Sequence, residues 1–136
     1  MATKTASKAA PGVQPKGLSV GLVAVTSTYT LAASLSAGDV IQMVKVPKGA
    51  TPVYVALSFT SAGANVGNMR VGDGGSTNRY ITGYAYSSTG VQAVINTAYA
   101  PYTYSVDDTI DVTALSVSVA SVEGALVMIA IFAMDT

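Results

Sequence analysis

Apolar and polar positions alternate in short runs along most of this chain, and Gly or Pro breaks the runs at regular intervals. Side chains in a strand point alternately to opposite faces, so a period of two marks a half-buried strand. The clearest case is Thr51–Phe59, where Val53, Val55, Leu57 and Phe59 fall on one face and Tyr54, Ala56 and Ser58 on the other. Pro52 confines the start of that strand to an edge, because proline cannot donate to a ladder. Val40–Val46 sits between two turn phrases, Ser36-Ala37-Gly38-Asp39 and Pro47-Lys48-Gly49-Ala50, the second with Gly49 suited to positive φ. Ser19–Thr26 and Tyr29–Ala33 read as a first pair or as one long bent strand.

Further strands are expected at Asn68–Val71, Arg79–Tyr86, Gln92–Asn96 and Tyr102–Ser105. Gly72-Asp73-Gly74-Gly75 predicts a turn with more than one positive φ. Thr109–Val119 begins with Ile110, Val112 and Ala114 on one face, then changes phase to Leu115, Val117 and Val119, which predicts a bulge near Ala114. Ala125–Met134 is apolar on both faces, Val127, Ile129 and Ile131 against Leu126, Met128 and Phe132. A strand of that kind requires cover on both sides, from a loop or from another subunit. No 3.6-residue rhythm and no internal repeat competes with this reading. Eight or nine short strands in one domain predict an all-β fold, a two-sheet antiparallel β-sandwich of jelly-roll type, with barrel-like closure as the other arrangement.

The first residues break the pattern. Met1 to about Gly17 is rich in Ala, Thr, Lys, Ser and Pro without apolar period, so residues 1–17 are expected to form a flexible arm and 18–136 the sandwich. The arm carries Lys4, Lys8 and Lys16 and no acid, whereas residues 17–136 carry four bases against all seven acids. A basic tail on a slightly acidic body suits an acidic partner surface, and a solvated tail is the plainer reading. Formal net charge is 0 and only 10% of residues are charged, less than half the usual share of roughly 25%. Ser, Thr, Gly and Tyr fill the gap. Such a surface repels its neighbours weakly, which suits a protein that sits against something.

Candidate chemistry is sparse. The absence of His removes the commonest general base and metal ligand, and the absence of Cys removes disulfides and thiol nucleophiles. No enzymatic activity and no cofactor are expected. Asp107, Asp108 and Asp111 form the one acidic cluster; a turn explains it better than a calcium site, since the spacing fits no calcium loop. The glycine-rich stretch Val71–Arg79 lacks a Gly-Lys-Ser/Thr ending and a following helix, so a turn between strands is expected there. The longest apolar run, Ala125–Met134, is 10 residues, about half a membrane-spanning helix, and no membrane association is expected.

Tyrosine is concentrated. Six of the eight lie between residues 80 and 104. On a strand, Tyr80, Tyr84 and Tyr86 share a face, as do Tyr102 and Tyr104. Such rows serve a core, a protein interface or a stacking platform for sugars. Base stacking calls for a basic groove, which is missing, so no nucleic-acid partner is expected. Candidate contact residues are therefore Lys4, Lys8 and Lys16, the tyrosines Tyr80, Tyr84, Tyr86, Tyr102 and Tyr104, and Leu126, Met128 and Phe132.

A basic Ala/Ser/Pro-rich arm precedes a Cys-free, charge-poor β domain containing Gly38-Asp39-Val40-Ile41 and Lys45-Val46-Pro47-Lys48-Gly49-Ala50. In this the chain resembles small virion proteins of tailed bacteriophages, particularly head-decoration or cement proteins. The resemblance implies a virion location, with the major capsid protein or other virion proteins as partners. It further implies a jelly-roll-like sandwich, self-association into dimers or trimers, and a terminus reaching across capsid subunits. A tail, collar or fibre component and a carbohydrate-binding module are the alternatives.

Overall fold

A computed structural model describes residues 2–6, 21–30, 35–59, 68–85, 90–93, 102–115 and 125–134. They form nine strands: β1 (Thr3–Thr5), β2 (Gly21–Thr30), β3 (Val40–Val46), β4 (Ala50–Phe59), β5 (Asn68–Gly72), β6 (Ile81–Ala85), β7 (Gly90–Ala93), β8 (Asp108–Ala114) and β9 (Ala125–Met134). One sheet has the order β1-β3-β8-β5-β6 and the other β2-β9-β4-β7. Consecutive strands from β2 to β5 alternate between the sheets, as do those from β6 to β9, and every pair except β1–β3 is antiparallel. Two interlocked Greek keys of this kind define the jelly roll, so the expected fold class is correct.

The core lies between the sheets. Ile41, Met43, Val44, Val46, Met69, Val71, Ile110 and Val112 come from one side, and Val55, Leu57, Leu126, Met128, Ala130 and Phe132 from the other, all essentially without solvent contact. Alternation alone does not yield this set. The β3–β8 register shifts between Gln42 and Val44, so both Met43 and Val44 turn inward. A second shift in β4, between Pro52 and Tyr54, throws Val53 outward, where it is 46% exposed. That corrects the expected grouping of Val53 with Val55 and Leu57: an extra residue reverses the phase of everything before it. The start of β4 is not outside the ladder as expected: Pro52 pairs with Phe132 of β9, and only its other side, ahead of the part of β4 that pairs with β7, is open.

The expected arm is corrected at its beginning. Thr3–Thr5 pairs in parallel with β3, Ala6 donates its N–H to the Gln42 carbonyl at 2.8 Å, and Ala6 is buried. Asp39 anchors the strand by accepting Ala2 N–H at 3.0 Å and Ser36 N–H at 2.9 Å. These two backbone donors, Ser36 first, hold its carboxyl below the usual aspartate range. Residues 7–20 lie outside the described residues.

Strand β2 is one continuous element across Gly21–Thr30, and β3 and β9 have the expected bounds. Tyr102–Ser105 is not a strand. It is an extended segment sewn to the β3–β4 turn, with Tyr104 N–H on the Ala50 carbonyl (3.0 Å) and Gly49 N–H on the Tyr104 carbonyl (2.7 Å). Gly49 has φ of 89°, as its turn requires. The strand β8 ends at Ala114, and the phase change expected beyond Leu115 lies outside the described residues. Among the described residues no helix is long and apolar enough to cross a membrane.

Candidate interaction surface

Two features stand out against the core: a polar cluster at one end of the sandwich and an uncharged outer sheet face. The cluster is built on Asp73, the first residue after β5. Its Oδ1 accepts N–H from Gly75 (2.9 Å) and Ser76 (2.8 Å), the pattern by which an aspartate closes a turn on itself. Arg79 grips both carboxylate oxygens, Nε to Oδ2 at 2.5 Å and Nη2 to Oδ1 at 3.3 Å. Tyr104 donates its hydroxyl to Oδ2 at 2.8 Å. Asp73 is only 2% exposed. Burial alone would raise its carboxyl, but Arg79, Tyr104 and the Ser76 amide outweigh it and the carboxyl is held below the usual range. The aspartate is therefore an ionised staple, not a proton-transfer group.

The tyrosines complete the staple. The Tyr80 and Tyr104 hydroxyl oxygens are 2.7 Å apart. Tyr104 spends its one hydroxyl hydrogen on Asp73, so Tyr80 is the donor to Tyr104. Burial drives both phenols far above their ordinary pKa. The Arg79 guanidinium lies 3.5 Å from the centre of the Tyr102 ring, and Tyr102 meets Tyr104 edge to face at 5.1 Å. This cation–π contact covers one face of Tyr102.

Gly72 is required by proximity. A Cβ there would overlap the Ser76 and Thr77 backbone, so no other residue lets the loop fold back this closely. The expectation of several positive φ values in Gly72-Asp73-Gly74-Gly75 is corrected: positive-φ glycines among the described residues are Gly21, Gly38 and Gly49.

Asp111 is a different kind of carboxylate. It lies on β8 between Gln42 of β3 and Gly72 of β5, 9% exposed, and accepts the Thr109 hydroxyl at 2.6 Å. Burial, with the charges of Asp108 and Asp73 adding to it, pushes its carboxyl up to about 7 against the Thr109 hydrogen bond. Asp107 points elsewhere and accepts Lys48 N–H at 2.8 Å. Among the described residues no three acidic, His or Cys side chains gather so as to hold a metal ion. An open groove of about 230 Å³ lined by Gln42, Lys45, Asp107, Asp108 and Thr109 flanks this region.

The candidate contact residues separate sharply. Tyr80 and Tyr104 are 3% and 2% exposed, and Leu126, Met128 and Phe132 are fully buried, so all five serve this chain's own interior. Tyr102 is half-buried under Arg79, and Tyr84 lies on β6 opposite Met69. Lys4 is half-buried on β1. Lys8, Lys16 and Tyr86 lie outside the described residues.

What the candidate set omits is the other side of β9. Val127, Ile131 and Ala133 are half-buried and Ile129 is 40% exposed, because alternate residues of this strand turn away from the core. Flanking strands add Leu22 and Tyr54, 68% and 38% exposed. The signal was in the sequence, as the two-faced apolar strand, but not which face would be left open.

No protein-family model and no curated protein matches this sequence. Solved structures do share its fold. A chain in the capsid of Ralstonia phage GP4 superposes with a TM-score of 0.79 at 15% identity, covering 98% of this chain and 99% of that one. A chain in the capsid asymmetric unit of cyanophage Pam1 follows at 0.69 and 17% identity, covering 93% and 94%. A third, in the acidic stable capsid structure of Helicobacter pylori bacteriophage KHP30, reaches 0.63 at 11% identity over 85% and 90%. The fold of this chain is thus one that recurs in phage capsids.

Proposed function

We propose that this chain is a non-enzymatic structural protein of a phage virion, bound to the outer surface of the capsid and reinforcing the joints between its subunits as a decoration or cement protein. The observation that carries this reading is the likeness, nearly end to end, to a chain in the capsid of Ralstonia phage GP4. The chemistry is consistent with it. A chain without His or Cys, whose buried Asp73 is tied down by five hydrogen bonds, suits a structural role. Apolar surface at a joint contributes about 25 cal/mol per Å² before association costs, and many copies on one shell add avidity.

The basic N-terminal residues are the proposed tether. Because Thr3–Thr5 belongs to the sheet, the test leaves residues 1–6 in place and reverses Lys8 and Lys16 to Glu. Shells of the cognate phage assembled without this chain, then mixed with it, should retain it on sedimentation and show it on their outer surface by electron cryomicroscopy. Lys8→Glu/Lys16→Glu should bind more weakly, with the difference shrinking in high salt. Density on the tail, or none on the shell, would sink the decoration reading. A glycan-stacking module is the weaker reading, since the rings of Tyr80 and Tyr104 are buried and Arg79 occupies a face of Tyr102.

A further inference from the structure

The two sheets differ in charge. Strands β2, β4, β7 and β9, which make up the four-stranded sheet, contain no Asp, Glu, Lys or Arg. The five-stranded sheet carries Lys4, Lys45, Arg70, Asp108 and Asp111. A solvent-facing sheet normally alternates apolar-in with polar or charged-out. Here the outward positions are apolar or hydroxyl-bearing. Across the strands they line up in register as Ala24–Ile131–Tyr54 and Thr26–Ile129–Ala56, of which Ala56 is itself only 3% exposed, with Leu22 at the margin. Ile129 is at the centre.

We propose that this uncharged outer face is where two copies of the chain pack, sheet against sheet. The proposal does not depend on the virion role, which could fail with this contact intact. Three considerations select a second copy as the occupant. A charge buried against this face would find no counter-charge, at a cost of several kcal/mol, so the apposed surface must itself be uncharged. The chain's own five-stranded sheet does not qualify, whereas the same face of another copy qualifies by construction. A two-fold axis through the face makes it self-complementary. Size is the third. Ten-residue strands about 33 Å long, spaced about 4.8 Å apart, give a footprint of roughly 500–600 Å² before side-chain relief is counted, close to the ~800 Å² per partner of a standard interface. Between the larger Leu22 and Tyr54, the side chains of Ala24, Thr26, Ile129 and Ile131 give low relief, as in the inner faces of sandwiches that pack about 10 Å apart.

The test is self-association of the full chain by sedimentation velocity from nanomolar to tens of micromolar concentration. Wild type should form a dimer, or a larger closed assembly with a two-fold contact. Thr26→Lys and Ile129→Lys, both at exposed positions, should each weaken association about 100-fold or more while keeping the wild-type circular dichroism and thermal midpoint. Lys45→Glu, on the other sheet, should associate as wild type does. Should the lysine variants misfold, Thr26→Cys supplies the chain's only thiol, and a short bis-maleimide should link it into covalent dimers. A wild-type monomer throughout the range, lysine variants that associate normally, or a Thr26→Cys chain that stays unlinked would overturn the proposal.

Discussion

Tyr104 donates its hydroxyl hydrogen to Asp73 at 2.8 Å, tying the segment that enters β8 to the loop between β5 and β6. Neither group is near the other in sequence, and neither would be tolerated alone. A buried carboxylate without donors is costly, and so is a buried phenol without an acceptor. Together with Arg79 they turn a glycine-rich loop into a fixed corner.

The chain of donors ranks two substitutions. Tyr104→Phe removes the bond to Asp73 and the acceptor for Tyr80, whereas Tyr80→Phe removes one neutral bond and leaves the carboxylate satisfied. Hydrogen bonds to charged groups contribute about 1.5–3 kcal/mol and neutral ones about 1. Urea denaturation should therefore show Tyr104→Phe destabilised by about 2–3 kcal/mol and Tyr80→Phe by about 1 kcal/mol. Equal losses would mean that Tyr104 does not serve Asp73.

Asp111 should make stability depend on pH in the opposite sense to Asp73. Its folded pKa, about 7, lies above the ordinary aspartate value of 3.8, so the folded state holds the proton more tightly. Its contribution is full below about pH 4 and is lost as pH rises toward 7. Asp73 and Asp39, held below the usual range, contribute above about pH 4 and lose that contribution under acid. Stability should peak between these limits. Asp111→Asn cannot ionise, so its advantage over wild type should grow from pH 4 to pH 8, to the order of a few kcal/mol. A difference that stays flat across that range would show that Asp111 is not titrating in the folded protein.

Glycines 72 and 83 offer a contrast within one sheet. A Cβ on Gly72 meets the Ser76 and Thr77 backbone, while a Cβ on Gly83 has nothing within 4 Å. Gly72→Ala should cost about 2 kcal/mol or more through displaced backbone. Gly83→Ala should be neutral or slightly stabilising, since an alanine loses less backbone entropy on folding. Thermal midpoints that fall equally for both would contradict the assigned geometry.

The fold was legible where punctuation and pattern agreed. Turns at Gly38 and Gly49 bracket β3, and its bounds follow from them. Ala125–Met134 was legible as a strand, but its two apolar faces left its orientation undecided. Only the pairing of β9 with β2 and β4 sends Leu126, Met128 and Phe132 inward. A bulge defeated the local reading of β4, because one extra residue reverses the phase and leaves no mark in composition. The Asp73 cluster was half visible. Asp before Gly-Gly-Ser announces a self-closing turn, but the partnership with Tyr104 exists only in the folded chain. The tyrosine concentration was real, and the burial of Tyr80 and Tyr104 could not be read from spacing alone.

Asp39 should control whether the N-terminal strand stays on the sheet. Its carboxylate holds Ala2 at one end of β1 and Ser36 in the turn before β3, while Ala6 at the other end depends on the Gln42 carbonyl. A three-residue parallel strand has few bonds of its own and sits at a sheet edge, where opening is cheapest. Asp39→Ala should leave the jelly roll folded but raise amide exchange at Ala6 and at Val40, whose N–H donates to Ala2. Exchange at Val112, central in the sheet, should be unchanged. Asp39→Asn keeps an oxygen acceptor and should fall between the two. Uniformly faster exchange in Asp39→Ala would mean that the substitution loosens the whole sandwich; protection at Ala6 that persists would mean that β1 holds without its anchor.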